Sequence, residues 1–119
     1  DRIVLSHKIC LKPQGTVILV AVADWNGDGK PDLIVHQKRE SGQLGIYWYQ
    51  NVGSTHDPKL AEGQLLVNSH DELVRAFCVC DWTDDGRLDL VVTRDELLPG
   101  TAENQSGKWQ GSVWLYSRE

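Results

Sequence analysis

A chain of 119 residues, 40% hydrophobic and 24% charged, has room for one domain or for part of a larger repetitive one, and is too apolar to belong to the disordered class. No apolar run approaches the roughly 20 residues of a membrane-spanning helix, so membrane insertion is not expected, and Asp1-Arg2-Ile3-Val4 lacks the basic stretch and apolar core of a signal peptide. The net charge of −5 is local: setting aside Asp24, Asp28, Asp32, Asp81, Asp85 and Asp89 leaves 11 acids against 12 bases, with no basic stripe for a nucleic-acid partner.

In chain order, Ile3 to Ser6 reads as a strand. The run Val20 to Ala23 enters an Asp-rich turn at Asp24, and Leu33 to Val35 leaves it. After a Gly-containing loop comes the aromatic strand Ile46-Tyr47-Trp48-Tyr49, then a connector and a further strand over Gly63 to Val67. The order then repeats. Val20 to Val35 aligns without gaps to Phe77 to Val92 at an offset of 57 residues, and Ile46 to Tyr49 aligns to Val113 to Tyr116 at an offset of 67. The ten extra residues are assigned to a polar loop around Pro99 to Gly107. No window sustains helical periodicity. The predicted fold is all-β: two four-stranded antiparallel meanders of the propeller-blade type, blade 1 at about 16–68 and blade 2 at about 72–119. The second blade stops after its third strand. Residues 1–10 supply a strand for a neighbouring blade, so the last blade is completed by a strand from another segment or copy.

The two turns have the composition of calcium loops. A hard divalent cation takes six to eight oxygen ligands, and D-x-[DN]-x-D-G-x-x-D offers side-chain oxygens at positions 1, 3, 5 and 9 with a backbone carbonyl at position 7. These are Asp24, Asn26, Asp28, Lys30 (carbonyl) and Asp32 in the first loop, and Asp81, Thr83, Asp85, Arg87 (carbonyl) and Asp89 in the second. Two Ca2+ ions are expected, the second held less well because Thr83 is a poorer ligand than Asn26. An EF-hand is excluded, since position 12 is Val35 or Val92 inside a β-branched run. The plainer reading is a turn favoured by Asp, Asn and Gly alone. Two copies with three carboxylates each weigh against it, because clustered carboxylates repel unless a cation neutralises them.

The run V-A-D-W-N-G-D-G-K-P-D-L-I-V, followed by I-Y-W-Y-Q-N-V-G-S, resembles the FG-GAP/VCBS repeat family, whose repeats form blades of integrin-α-like β-propellers. The resemblance implies calcium-stabilised blades in extracellular or cell-surface proteins that serve adhesion, carbohydrate binding or scaffolding beside a catalytic domain.

The remaining candidates are single residues. Trp25 and Trp82 share one loop position and are expected to pack between blades. Trp109 has no repeat counterpart and is the candidate exposed aromatic for ligand stacking. Asn104-Gln105-Ser106 is a glycosylation sequon. Ser6-His7 and Ser69-His70 read as turns rather than catalytic pairs. Cys10, Cys78 and Cys80 read as packing residues, with one bridge from Cys10 to either of the others left open. With no nucleotide loop, zinc constellation or nucleophile elbow, no enzymatic activity is expected. The expected role is a non-catalytic extracellular module for binding or assembly, its partners other copies of itself or neighbouring blades. The alternatives are a lectin that binds glycans and an accessory propeller of a polysaccharide-active enzyme.

Overall fold

The computed structural model describes residues 2–11, 15–69, 73–98 and 108–118. Seven strands form two antiparallel sheets, with no helix among the described residues. The first sheet is a meander in the order β1 (Gly15–Ala23), β2 (Asp32–Arg39), β3 (Leu44–Tyr49) and β4 (Gln64–Asn68). The second has three strands in the order β5 (Leu73–Cys80), β6 (Asp89–Leu98) and β7 (Lys108–Tyr116). These are two propeller-like blades of unequal completeness and not a closed ring.

The registers repeat with the sequence. Val35 pairs with Val20 and Tyr47, and its counterpart Val92 pairs with Phe77 and Trp114. Both inner pairs carry an irregularity at the same place, between Val17 and Leu19 and between Val74 and Ala76. The extra residues of the second unit do not all fall in the loop. β6 runs to Leu98 and β7 begins at Lys108, so both strands outlast β2 and β3 and part of the insertion lengthens the hairpin. Residues 99–107, with the Asn104 sequon, lie outside the described residues.

Alternation divides each sheet into two faces. In the first sheet, face A carries Val20, Val22, Val35, Gln37, Tyr47 and Tyr49, and face B carries Leu19, Ala21, Ile34, Ile46 and Trp48. In the second, the equivalent face A carries Phe77, Val79, Leu90, Val92 and Tyr116, and face B carries Cys78, Val91, Val113 and Leu115. The main core forms where face A of the second sheet meets face B of the first: Ile34, Ile46 and Val67 pack with Val74, Leu90 and Val92. Each such buried aliphatic side chain contributes about 1.5–3 kcal/mol relative to exposure. A second cluster on face A of the first sheet, Val35, Tyr47 and Tyr49, is covered by Leu11 and Leu60.

Ile3 to Ser6 forms no strand in the single chain, and Ile3 is 99% exposed. Trp25 is half-buried against the core between the sheets, but Trp82 is 66% exposed. The reason is positional: Trp25 has the second sheet beside it, and Trp82 has no sheet beside it among the described residues. The cysteines are free, with Cys10 and Cys78 exposed, so packing inside this chain does not account for those two.

Candidate functional site

Each Asp loop is folded by its own carboxylates. Asp24 Oδ1 accepts the Asp28 N–H at 3.1 Å and Oδ2 accepts the Gly29 N–H at 2.8 Å, while Asp28 Oδ1 accepts the Lys30 N–H at 2.9 Å. The second loop repeats the set: Asp81 Oδ1 with Asp85 N–H at 3.1 Å, Asp81 Oδ2 with Gly86 N–H at 2.8 Å, and Asp85 Oδ1 with Arg87 N–H at 2.9 Å. The chain can wrap this tightly because Gly29 and Gly86 both take φ of 85°. Position 4 of the loop is also left-handed, at φ 73° for Gly27 and 56° for Asp84. The backbone N–H of Lys30 holds the Asp28 carboxyl below its ordinary pKa, and that of Arg87 does the same for Asp85.

The ninth residue does something that loop spacing does not announce. Asp32 and Asp89 are closed off from solvent at the first position of β2 and β6. Asp32 Oδ2 accepts the Trp25 N–H at 3.1 Å, and its Oδ1 accepts the Asn51 N–H at 2.7 Å. Asp89 Oδ1 accepts the Arg118 N–H at 2.9 Å, and its Oδ2 takes both the N–H and the hydroxyl of Thr83 at 3.2 Å. The Arg118 N–H, followed by the Thr83 groups, holds the Asp89 carboxyl low. These aspartates therefore pin the loop and the exit of the third strand to one point, whatever else they ligate.

The loops differ at position 3. One terminal atom of the Asn26 amide lies 3.2 Å from Asp28 Oδ1 and 3.3 Å from Asp24 Oδ1, and the other lies 3.0 Å from Gln50 Nε2. With its nitrogen toward the carboxylates, the amide donates to both. With its oxygen toward them, three acceptors face one point, as a divalent cation requires. Thr83 instead turns its hydroxyl to Asp89. In the second loop the Arg87 guanidinium lies 3.3 Å from Asp85 Oδ2 and donates to the Arg118 carbonyl at 3.1 Å. A built-in cation already stands against the carboxylate there.

Among the described residues no three His, Cys, Asp or Glu side chains converge as a metal site. What converges in the first loop is two carboxylates and an amide, with Asp32 drawn to backbone N–H groups. A carboxylate offers about four lone-pair positions, so two N–H bonds leave Asp32 capacity for a further partner. With the Asn26 oxygen turned toward the carboxylates the first donor set suits a hard cation, whereas with the nitrogen toward them and the oxygen accepting from Gln50 the loop is closed by its own hydrogen bonds; the second set suits a cation less well.

The two loops lie side by side. Asp24, Trp25, Asn26 and Gly27 share a cleft with Gly86, Arg87, Leu88 and Arg118. The Arg118 guanidinium stacks on Trp25 at 3.8 Å and donates to the Trp25 carbonyl at 3.0 Å, tying the end of the second blade to the first loop. No sequence signal marked this arginine, since its counterpart in the first repeat is Asn51.

Of the other candidates, Trp109 is 58% exposed on β7, away from both loops in the chain. His7 Nδ1 lies 3.2 Å from Ser6 Oγ on an exposed segment. His70 lies outside the described residues; buried Ser69 meets His36 Nε2 at 3.4 Å, and His36 Nδ1 has no partner among the described residues.

A search of curated proteins and of solved structures found no match to the chain. A family model described as FG-GAP-like repeat matches residues 24–92, from the first residue of the first loop to the strand that leaves the second. With more than half of its length matched and two repeat units folded alike, the chain belongs to the FG-GAP-like repeat family.

Proposed function

We propose that this chain is a calcium-stabilised, extracellular, non-catalytic repeat module that works by binding and assembly. The observation that carries the reading is the Asn26 amide held within 3.3 Å of both Asp24 and Asp28 in a loop already folded by its carboxylates. Asp24, Asn26, Asp28, the Lys30 carbonyl and Asp32 would hold one ion; Asp81, Thr83, Asp85, the Arg87 carbonyl and Asp89 would hold the other more weakly. Bound calcium supplies charge neutralisation. The protein's own N–H groups already set the loop shape, so binding costs little reordering. Extracellular modules bind calcium at roughly 10⁻⁴–10⁻³ M. At millimolar calcium this gives about 0.4–1.5 kcal/mol per site. The family's usual setting supports an extracellular or cell-surface location. The test is thermal melting in 2 mM calcium against excess chelator, with isothermal titration of the metal alone (concentration roughly chosen from that affinity range). A melting temperature that ignores both additions would refute the calcium reading.

Assembly is supported by β7, whose outer edge is unpaired among the described residues, and by the unpaired apolar segment Ile3 to Leu5. Such edges take a strand from another segment or copy. The second reading, glycan binding, is favoured by the exposed indoles of Trp82 and Trp109. Dose-dependent signal on a glycan array, lost in Trp109→Ala, would favour the lectin; a blank array would favour assembly.

A further inference from the structure

The contact between the two sheets joins unlike surfaces, face A of the second to face B of the first. The pair therefore ends in a face B on the second sheet and a face A on the first, each the repeat-equivalent of a surface buried in the middle. Exposure at matched positions makes this concrete. Val74 is 7% exposed and its counterpart Val17 is 48%; Ile46 is 0% exposed and its counterpart Val113 is 71%. Phe77 and Val79 pack against the first sheet, whereas their counterparts Val20 and Val22 are exposed. Trp25 packs into the core and Trp82 does not. An antiparallel sheet face meant for water alternates to polar residues. Here the outer faces keep the apolar residues of the buried ones.

We propose that face B of the second sheet in one copy docks on face A of the first sheet in a second copy, repeating between chains the contact made within the chain. The proposal rests on the assembly reading and names its surface: Trp82, Val113 and Leu115 on one side, Val17, Val20 and Val22 on the other. The intramolecular interface is the template for both halves. Because the halves are unlike, copies add head to tail and either close a ring or extend a filament. Leu11 and Leu60 already cover Val35, Tyr47 and Tyr49 on the receiving face, so the incoming blade meets the exposed Val17, Val20 and Val22 of β1. Cys78 lies on the donor face with its thiol exposed, so its reactivity reports occupancy.

Sedimentation velocity of the full chain over a concentration series is expected to show mass rising from 13.4 kDa in whole-copy steps. Val22→Glu blocks the receiving face and Val113→Glu the donor face. Both positions are exposed, so the fold should survive, as far-UV circular dichroism checks. Each variant alone is expected to stay monomeric, while an equimolar mixture forms a dimer and nothing larger. Maleimide labelling of Cys78 is expected to slow as the wild-type mass rises. A wild-type chain that stays monomeric throughout would overturn both this contact and the assembly reading. Variants that associate as well as wild type, or a mixture that fails to dimerise, would overturn the contact alone and leave assembly to the edge of β7.

Discussion

Asp32 Oδ1 accepts the backbone N–H of Asn51 across the end of the first sheet, and its other oxygen takes the N–H of Trp25. One carboxylate thus satisfies two backbone donors that enclose it at zero solvent exposure. Replacing it by alanine leaves both unpaired, each costing about 1–3 kcal/mol. Asp32→Ala is expected to lose roughly 2–5 kcal/mol, read by chemical denaturation, in chelator as well as in calcium. Asp24→Ala is expected to abolish most of the calcium response of the first loop. A loss for Asp32→Ala that disappears in chelator would show that the residue matters only as a ligand.

This division of labour explains what could and could not be read ahead of the fold. The repeat was legible because Val20 to Val35 and Phe77 to Val92 keep one spacing, and spacing alone dictates register. The roles within the loop were less legible. Aspartate at position 1 and at position 9 is the same residue type, yet one folds an exposed turn and the other anchors buried strand ends. Trp82 read like Trp25 because a partner blade is not a property of local sequence. Arg118 was invisible because its work depends on a stack with Trp25 across two sheets.

The left-handed position 4 offers a stabilising exchange. Gly27 takes φ 73° without a Cβ, but Asp84 occupies the equivalent place at φ 56°. Aspartate tolerates this conformation better than most residues, though not freely. Asp84→Gly is expected to raise stability by about 0.5 kcal/mol, or roughly 2–4 °C in melting temperature. Gly27→Ala, the reverse strain, is expected to lower it by a similar or larger amount. Equal melting temperatures for Asp84→Gly and wild type would remove the strain argument.

The loops should differ in metal affinity, and Arg87 is part of the reason. Its guanidinium stands against Asp85 while Thr83 turns to Asp89, so an incoming cation meets a positive charge and a missing ligand. In titrations of single-loop knockouts, the first loop is expected to bind calcium more tightly than the second. Arg87→Gln should narrow the gap by up to about fivefold, the scale of an exposed ion pair worth about 0.2–1 kcal/mol. Thr83→Asn should narrow it further by restoring an amide oxygen. A second loop that binds as tightly as the first in the unmodified chain would contradict this account.

His36 supplies a pH dependence separate from the acidic loops. Its ring is buried on face B of the first sheet, touching Ser69 through Nε2, with Nδ1 unpartnered among the described residues. Burial disfavours the imidazolium and pushes the pKa below the ordinary value of 6.5. The unfolded chain therefore takes up the proton first as pH falls. The stabilisation is fully present above about pH 6.5 and is lost progressively as pH drops toward the depressed folded value. Between pH 7.5 and 5.5 the melting temperature of the wild type is expected to fall (a window set around that value of about 6.5). His36→Gln keeps a polar group near Ser69 but does not titrate, so its melting temperature should be flatter over the same interval. A slope between those pH values that His36→Gln leaves unchanged would refute this account, because the depressed carboxyls of Asp28, Asp85 and Asp89 titrate only below that window. Their contribution is present above about pH 4 and disappears only below it.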